Sequence, residues 1–114
     1  MTKSNRVVTV GAAQLGPIGL EETRSQVVKR LIELLEQAAD KGCDFVVYPE
    51  LALTTFFPRW YFEDQEEIDW FFEAEMPGPE TRRLFDRAAE LGIGFYLGYA
   101  ELTEEAGETR RYNT

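Results

Sequence analysis

The hydrophobic positions of the chain fall into short continuous runs separated by stretches with helical spacing. Residues 45–48 combine aromatic and β-branched side chains, which predicts a strand buried on both faces. Residues 6–14, β-branched at first and small afterwards, and residues 93–102 predict two further strands. Within the last of these, Gly94 and Gly98 predict a close approach of neighbouring backbone. Strands are thus predicted near the start, the middle and the end of the chain.

A helix is predicted between the first two strands. Over residues 23–41 the apolar positions recur every three to four residues, which indicates a helix with one buried face. Thr23 and Gln26 have the spacing of a capping box at its start, and Gly42 suits the position just beyond its end. We expect this helix to cover one side of the sheet.

Two shorter helices are predicted further along, over residues 64–75 and from Pro79 to a glycine stop at Gly92. A glycine-containing turn over residues 103–108 then leads into an antiparallel return strand that begins near Arg110. The order strand, helix, strand, helix, strand is typical of an α/β layer with right-handed crossovers. The sequence therefore predicts the α/β class.

One acidic residue directly follows the central apolar run. Pro49 cannot donate a hydrogen bond to a sheet, so the strand must end there and Glu50 lies at its carboxyl end. Open α/β sheets hold their chemistry at this edge, and a carboxylate with little access to water needs a partner or a chemical role. Glu50 is therefore either a polar residue that accepts local backbone N–H groups or an acid–base catalyst.

The residues around Glu50 resemble the glutamate segment of a known enzyme superfamily. The run at 47–60, which contains Pro-Glu-Leu-Ala-Leu-Thr-Thr-Phe-Phe-Pro-Arg-Trp, resembles the nitrilase or carbon–nitrogen hydrolase superfamily, and within it the N-carbamoyl-D-amino acid amidohydrolases. Residues 76–79 and 90–102 resemble the same subgroup, and the similarity extends over residues 8–114. The resemblance implies a four-layer α-β-β-α sandwich, of which residues 1–114 supply the N-terminal portion.

The resemblance also implies a mechanism. In this superfamily a cysteine attacks the carbonyl carbon, a glutamate relays protons and a lysine stabilises charge. By motif matching, Glu50 takes the glutamate role. The lysine and the cysteine fall beyond Thr114 in the family pattern, so we expect a truncated domain that is inactive alone. The implied reaction converts N-carbamoyl-D-amino acids to D-amino acids, ammonia and carbon dioxide, and a related ureido or aliphatic amide is the neighbouring substrate.

Other candidate residues near this segment have structural interpretations. Cys43 precedes the central strand, and a free cysteine is usually buried and inert. Arg59 is either a carboxylate partner or a solvated surface residue. Trp60, Tyr61 and Phe62 either line a substrate pocket or belong to a hydrophobic core, and aromatic density of this kind is more often core.

Composition limits the partners. The 114 residues carry 21 acidic and 12 basic side chains, a net charge of −9 that disfavours nucleic acids and anionic membranes. With no histidine and one cysteine, a His/Cys zinc site and an internal disulfide are excluded. The N-terminus leads into no apolar segment long enough for a signal peptide or membrane span. We expect a cytoplasmic protein without metal or cofactor that binds a small molecule and, by the resemblance, forms a dimer or tetramer when complete.

A different class of function stays open. The chain is alternatively a non-catalytic acidic interaction module, or an inactive fragment, that pairs its open sheet edge with another chain. A reading frame that continues into lysine-bearing and cysteine-bearing strand ends would favour the enzyme. A stop codon after Thr114 together with a soluble oligomer would favour the module.

Overall fold

The computed structural model describes residues 4–114. The strands and helices are, in chain order, β1 (Val10–Ala12), α1 (Arg24–Asp40), β2 (Phe45–Val47), a 3-10 turn (Phe57–Arg59), α2 (Gln65–Asp69), α3 (Arg82–Leu91), β3 (Gly94–Tyr96), β4 (Ala100–Glu105) and β5 (Glu108–Asn113). Strands β1, β2 and β3 form a parallel sheet with β2 in the centre, and β4 pairs with β5 in an antiparallel hairpin. The predicted α/β class is confirmed.

Helix α1 begins and ends where the sequence predicts. The Thr23 hydroxyl accepts the backbone N–H of Gln26 at 3.2 Å, and the Gln26 side chain accepts the N–H of Thr23 at 2.9 Å. This reciprocal pair satisfies two amide groups that the helix itself leaves without partners. After the helix, Gly42 adopts a φ of 80°, a left-handed conformation that glycine takes at low cost.

The main hydrophobic core lies between α1, α3 and one face of the parallel sheet. Its members from these elements include Val27, Val28, Leu31, Leu35, Val46, Tyr48, Leu84 and Ala88. Inside it, the Tyr48 hydroxyl donates to the Leu31 carbonyl at 2.7 Å, and burial raises the pKa of Tyr48. A polar contact therefore connects the end of β2 with α1. None of the helices in residues 4–114 is long and apolar enough to cross a membrane.

The opposite face of the parallel sheet is exposed, so the prediction that residues 45–48 are buried on both faces is wrong. Val46 is 1% exposed, whereas its neighbours Phe45 and Val47 are 36% and 39% exposed. Val10 of β1 and Tyr96 of β3 are exposed as well. Since α1 and α3 contribute to one core on the Val46 side, no element within residues 4–114 covers the outward side chains.

The predicted strand over residues 93–102 is divided between β3 and β4, which belong to different sheets. The division lies at Gly98, whose carbonyl accepts the N–H of Ala52 at 2.9 Å. A Cβ at Gly98 would lie 3.2 Å from the Cα of Glu50, and one at Gly94 would lie 2.8 Å from the Phe45 ring. The predicted close approach of backbone is confirmed at Gly98, whereas the group close to Gly94 is a side chain, the Phe45 ring.

Helix α2 is shorter than the predicted segment 64–75. It ends at Asp69 because the following residues leave the helix and pair with β4. The N–H of Glu73 donates to the Ala100 carbonyl at 2.8 Å, and the Glu73 carbonyl accepts the N–H of Leu102 at 2.9 Å. The non-local pairing therefore overrides the local helical pattern.

Helix α3 begins at Arg82, later than the predicted start at Pro79. A separate turn precedes it, in which the Thr81 hydroxyl accepts the N–H of Gly78 at 2.8 Å. The end is predicted correctly, because Gly92 adopts a φ of 66° directly after the helix.

The return strand is antiparallel, as predicted, and β4 and β5 pair along their whole length. The turn is tighter than the predicted segment 103–108, because Ala106 and Gly107 alone make it, with φ values of 53° and 81°. Two hydrogen bonds join Arg111 of β5 to Asp69 of α2, so the hairpin is fixed to the segment that precedes α3.

Candidate active site

Glu50 lies in the turn that follows the central strand of the parallel sheet. The N–H of Tyr48 donates to the Tyr96 carbonyl at 3.0 Å, and Pro49 then interrupts the ladder. Glu50 is thus at the carboxyl end of β2, between the ends of β1 and β3. The predicted position of this residue is confirmed.

The backbone next to Glu50 is strained. Leu51 has a φ of 47°, in the left-handed region that costs a non-glycine residue about 1–2 kcal/mol. Its side chain is buried in a second hydrophobic cluster with Phe57, Phe71 and Ala100. The packing of the Leu51 side chain in this cluster stabilises the strained turn in which Glu50 lies.

The Glu50 carboxylate is exposed, so the expectation that it has little access to water is wrong. The reason is that the turn opens onto clefts on both of its sides. The carboxylate has a partner nonetheless, because the Asn113 side-chain amide donates from Nδ2 to Glu50 Oε1 at 2.6 Å. Glu50 is therefore a solvent-accessible acidic group with one oxygen held in place.

Glu50 borders two clefts. The larger has a volume of about 230 Å³, and its lining residues are Glu50, Leu51, Phe56, Phe57, Pro58, Phe72, Ala100, Arg111, Tyr112 and Asn113. The smaller, of about 130 Å³, lies on the side of the loop at residues 15–18. The larger cleft thus combines an apolar aromatic wall with a polar side formed by β5.

Arg111 brings positive charge to the larger cleft. Its Nε and Nη2 donate to the two carboxylate oxygens of Asp69 at 2.7 and 2.8 Å. These hydrogen bonds hold the pKa of Asp69 below its usual range. The pair is bidentate and about a third exposed, so it fixes the guanidinium at the edge of the cleft.

Several residues considered in the sequence do not contribute to these clefts. Arg59 is exposed and stacks over the ring of Trp60, 5.0 Å from its centroid, with no ion pair to Glu50 within the described residues. Tyr61 is exposed, and Phe62 packs in the second cluster against Phe71. The core interpretation therefore holds for Phe62 and not for Tyr61.

Cys43 is far from Glu50 along the sheet. It precedes β2, whereas Glu50 follows it, so the two side chains lie at opposite ends of this strand. The thiol is partly buried and packs against the main core, where it limits the space beside Gly11. The geometry thus gives Cys43 no contact with the clefts that Glu50 borders.

Arg111 and Asn113 are functional candidates that the sequence analysis missed. Both lie on β5, and nothing in their local sequence indicates that they approach a residue more than sixty positions earlier. Their position depends on the division of the chain at Gly98, which places the hairpin beside the Glu50 turn. The only available signal was that two polar residues, Arg111 and Asn113, lie near the end of the predicted return strand. Such a pair by itself does not indicate a functional site.

The chemistry available to this site is proton transfer. The carboxylate accepts and donates protons, the amide of Asn113 is neutral, and Arg111 is cationic. Among residues 4–114, no group of three or more His, Cys, Asp or Glu side chains is arranged to hold a metal ion.

Sequence comparison identifies the class of protein to which this fold and site belong. The family described as Carbon-nitrogen hydrolase matches residues 9–114, and the chain belongs to that family. Its parallel sheet, covering helices and hairpin are consistent with the N-terminal part of a nitrilase-like fold.

The chain is also similar to a curated relative named Nitrilase 2, from an unknown prokaryotic organism. The two sequences are 31% identical over 102 residues, which cover 83% of this chain and 32% of the relative. The chain therefore spans about a third of the length of that relative.

Proposed function

We propose that residues 1–114 form the glutamate-bearing N-terminal part of a carbon–nitrogen hydrolase domain, and that Glu50 is its acid–base catalyst. The observation that carries this proposal is the position of Glu50 at the carboxyl end of the central strand, on a strained turn that borders two clefts. Family membership supplies the reaction class.

Hydrolysis of a carbon–nitrogen bond needs a nucleophile, a base that activates it and a donor for the developing oxyanion. In our proposal the Glu50 carboxylate removes the proton from a thiol, passes it to the departing nitrogen and then activates water. The Asn113 amide holds Oε1, which leaves Oε2 for the proton. The thiol and a charge-stabilising lysine come from residues beyond Thr114, as the family resemblance implies.

The finer proposal concerns the substrate. We propose an N-carbamoyl-D-amino acid, which is hydrolysed to the D-amino acid, ammonia and carbon dioxide. The aromatic wall of the larger cleft suits the apolar side chain of such a substrate. A related ureido compound or aliphatic amide is the alternative within the same chemistry.

The test is an assay of the complete protein that carries this chain, with N-carbamoyl-D-phenylalanine, its L enantiomer and an aliphatic amide. Glu50→Gln should lower kcat by about 10²–10⁴-fold, the contribution of general acid–base catalysis. Glu108→Gln, a charge removal at the exposed hairpin turn, is the matched control and should leave kcat unchanged. Full turnover by Glu50→Gln would reject the assignment.

The 114-residue chain by itself should hydrolyse none of these compounds, because its cysteine is remote from Glu50. Turnover by the isolated chain that disappears in Cys43→Ser would contradict this expectation. The test is decisive for the role of the thiol, since Cys43 is the single cysteine of the sequence.

The exposed apolar face of the parallel sheet supports a second candidate, in which the chain is a non-catalytic module that associates with another polypeptide. Phe45, Val47 and Tyr96 on this face are each more than a third exposed.

The complete enzyme, in contrast to the module, is expected to be a cytoplasmic dimer or tetramer. Light scattering after gel filtration measures the assembly, and a reading frame without lysine-bearing and cysteine-bearing strand ends would favour the module.

A further inference from the structure

We propose that Asn113 is a positioning residue that orients the Glu50 carboxylate for proton transfer. This inference rests on the proposed function of Glu50. The contact is direct, since Asn113 Nδ2 lies 2.6 Å from Glu50 Oε1, and it joins residues 63 positions apart in the chain. It therefore exists because of the fold and not because of local sequence.

The chemistry of the pair suits this role. A carboxylate only accepts hydrogen bonds when ionised, so the amide nitrogen of Asn113 must face it, and the orientation of the amide is fixed. The amide neither gains nor loses a proton in the working pH range. It therefore restrains one oxygen of Glu50 without neutralising the charge that makes the carboxylate a base.

The neighbouring cation does not replace this contact. Arg111 and Asn113 lie two residues apart on β5 and so share one face of the hairpin, where both line the larger cleft. The guanidinium of Arg111, however, donates to both carboxylate oxygens of Asp69. The hydrogen bond from the hairpin to Glu50 is thus donated by the neutral amide of Asn113, while the charged side chain of Arg111 is paired with Asp69.

Both ends of the Asn113–Glu50 hydrogen bond are fixed by the same piece of backbone. Asn113 pairs with the buried residue Ala100, and the next residue, Thr114, exchanges two backbone hydrogen bonds of 2.8 and 2.9 Å with Tyr99. One residue earlier, Gly98 packs against the backbone of Glu50. Residues 98–100 therefore set the distance between the donor and the carboxylate, as precise positioning of a base requires.

Steady-state kinetics of the complete protein test the role. Asn113→Ala should lower kcat by about 10–100-fold and leave KM within about twofold, because a misplaced base slows the chemistry and not the binding. Asn113→Asp keeps the size of the side chain but removes the donor and faces Glu50 with a like charge, so its loss should be at least as large. Thr109→Ala is the matched control, since it removes a 2.6 Å hydrogen bond to Glu104 from the same strand, away from the cleft.

A double-mutant cycle separates positioning from a structural effect. If Asn113 acts through Glu50, adding Asn113→Ala to Glu50→Gln should cause no further loss of kcat. Independent losses that multiply in the double variant would overturn the inference. So would a wild-type kcat in Asn113→Ala when Glu50→Gln is inactive, an outcome that leaves the proposed function intact.

A measurement without turnover makes the inference testable even if the proposed function fails. In the 114-residue chain labelled with ¹⁵N-asparagine, the side-chain amide resonance of Asn113 should shift in Glu50→Gln, while that of Asn5, the other asparagine of these residues, should not. An Asn113 resonance that does not shift in Glu50→Gln would show that the Asn113–Glu50 hydrogen bond is absent in solution and would reject the inference. Activity that persists in Glu50→Gln would instead reject the proposed function.

Discussion

Burial and charge act in opposite directions on Glu73. Its carboxylate forms an ion pair with Arg24, and their side chains are only 15% and 9% exposed. Arg24 also donates to the carbonyls of Trp70 and Phe72, so it joins the start of α1 to the segment after α2. Desolvation nevertheless dominates and raises the pKa of Glu73, against the attraction of Arg24 and with a smaller contribution from the charge of Glu80.

This raised pKa predicts a pH dependence of stability. A carboxyl group whose pKa is higher in the folded than in the unfolded state stabilises the fold below the ordinary glutamate value of 4.5, and that contribution disappears as the pH rises through the folded pKa. The free energy of unfolding of the wild type should therefore fall relative to that of Glu73→Gln over this window. Urea unfolding at a series of pH values measures the difference.

Differences in packing between glutamate and glutamine at position 73 do not depend on pH, whereas the ion pair with Arg24 exists only while Glu73 is ionised and is already included in the pKa of Glu73. Only the slope of the difference with pH therefore tests the prediction. Glu108→Gln, whose carboxylate is largely exposed, serves as the control and should give a flat difference. A flat difference for Glu73→Gln as well would contradict the burial argument.

At the scale of secondary-structure elements, the hydroxyl of Tyr48 is one link between β2 and α1. Removing it in Tyr48→Phe leaves the ring packed against Phe95 and deletes the hydrogen bond to the Leu31 carbonyl. We expect the free energy of unfolding to fall by about 1 kcal/mol, the net value of a buried hydrogen bond. Urea unfolding measures this loss, and Tyr61→Phe at an exposed position should change nothing.

The segment between β3 and β4 determines the backbone position of Glu50. A methyl group at Gly98 would lie 3.2 Å from both the Cα of Glu50 and the carbonyl oxygen of Pro49, which are backbone atoms that cannot rotate away. Gly98→Ala should therefore displace the turn, lower kcat of the complete protein about tenfold or more, and cost about 1–3 kcal/mol of stability. Kinetics and urea unfolding measure the two effects.

Gly19→Ala is the matched control for Gly98→Ala. Its added methyl group would meet only the carboxylate end of Glu21, which is a flexible side chain. Equal kinetic losses in both variants would show that the contact between Gly98 and the Glu50 turn has no special importance.

The elements that sequence analysis predicted well are those with local causes. Helix α1 has its capping box at Thr23 and its glycine stop at Gly42, and both signals lie within two residues of the helix ends. The position of Glu50 also followed from a local cause, the proline that ends β2. Local sequence patterns were thus sufficient to predict where α1 begins and ends and where Glu50 lies.

The elements that were predicted poorly depend on contacts between distant residues. Helix α2 ends early because Glu73 pairs with β4, and the strand over 93–102 divides because Gly98 packs against the Glu50 turn. The approach of Asn113 to Glu50 results from the same division. No local pattern encodes these events, since each requires the positions of two separate elements.

At the scale of the whole molecule, the outward face of the parallel sheet is an apolar surface that no element within residues 4–114 covers. The composition of β2 is that of a strand covered on both sides, yet α1 and α3 cover one side. In the four-layer arrangement that the family resemblance implies, a second sheet would pack on this face. In this proposal, the apolar pattern of residues 45–48 is that of a strand whose second face packs against another sheet outside residues 4–114.

This interpretation predicts opposite effects of one substitution in two contexts. Tyr96→Lys should reduce self-association of the 114-residue chain, because it places a charge on an exposed apolar surface. In the complete protein the same change should destabilise the fold by about 3 kcal/mol or more, because it buries an unpaired charge. Sedimentation velocity and urea unfolding measure the two effects.

Tyr61→Lys provides the comparison for Tyr96→Lys, since Tyr61 is an exposed tyrosine away from the sheet. It should alter neither association nor stability. A complete protein that tolerates lysine at position 96 as easily as at position 61 would show that the outward face is never covered.

The Glu50 carboxylate borders both the larger and the smaller cleft, and Leu51 and Phe56 line both of them. When a molecule fills the larger cleft, the smaller cleft still connects Glu50 with bulk water. In the proposed hydrolysis, the attacking water would then reach Glu50 through the smaller cleft while the larger one is still occupied.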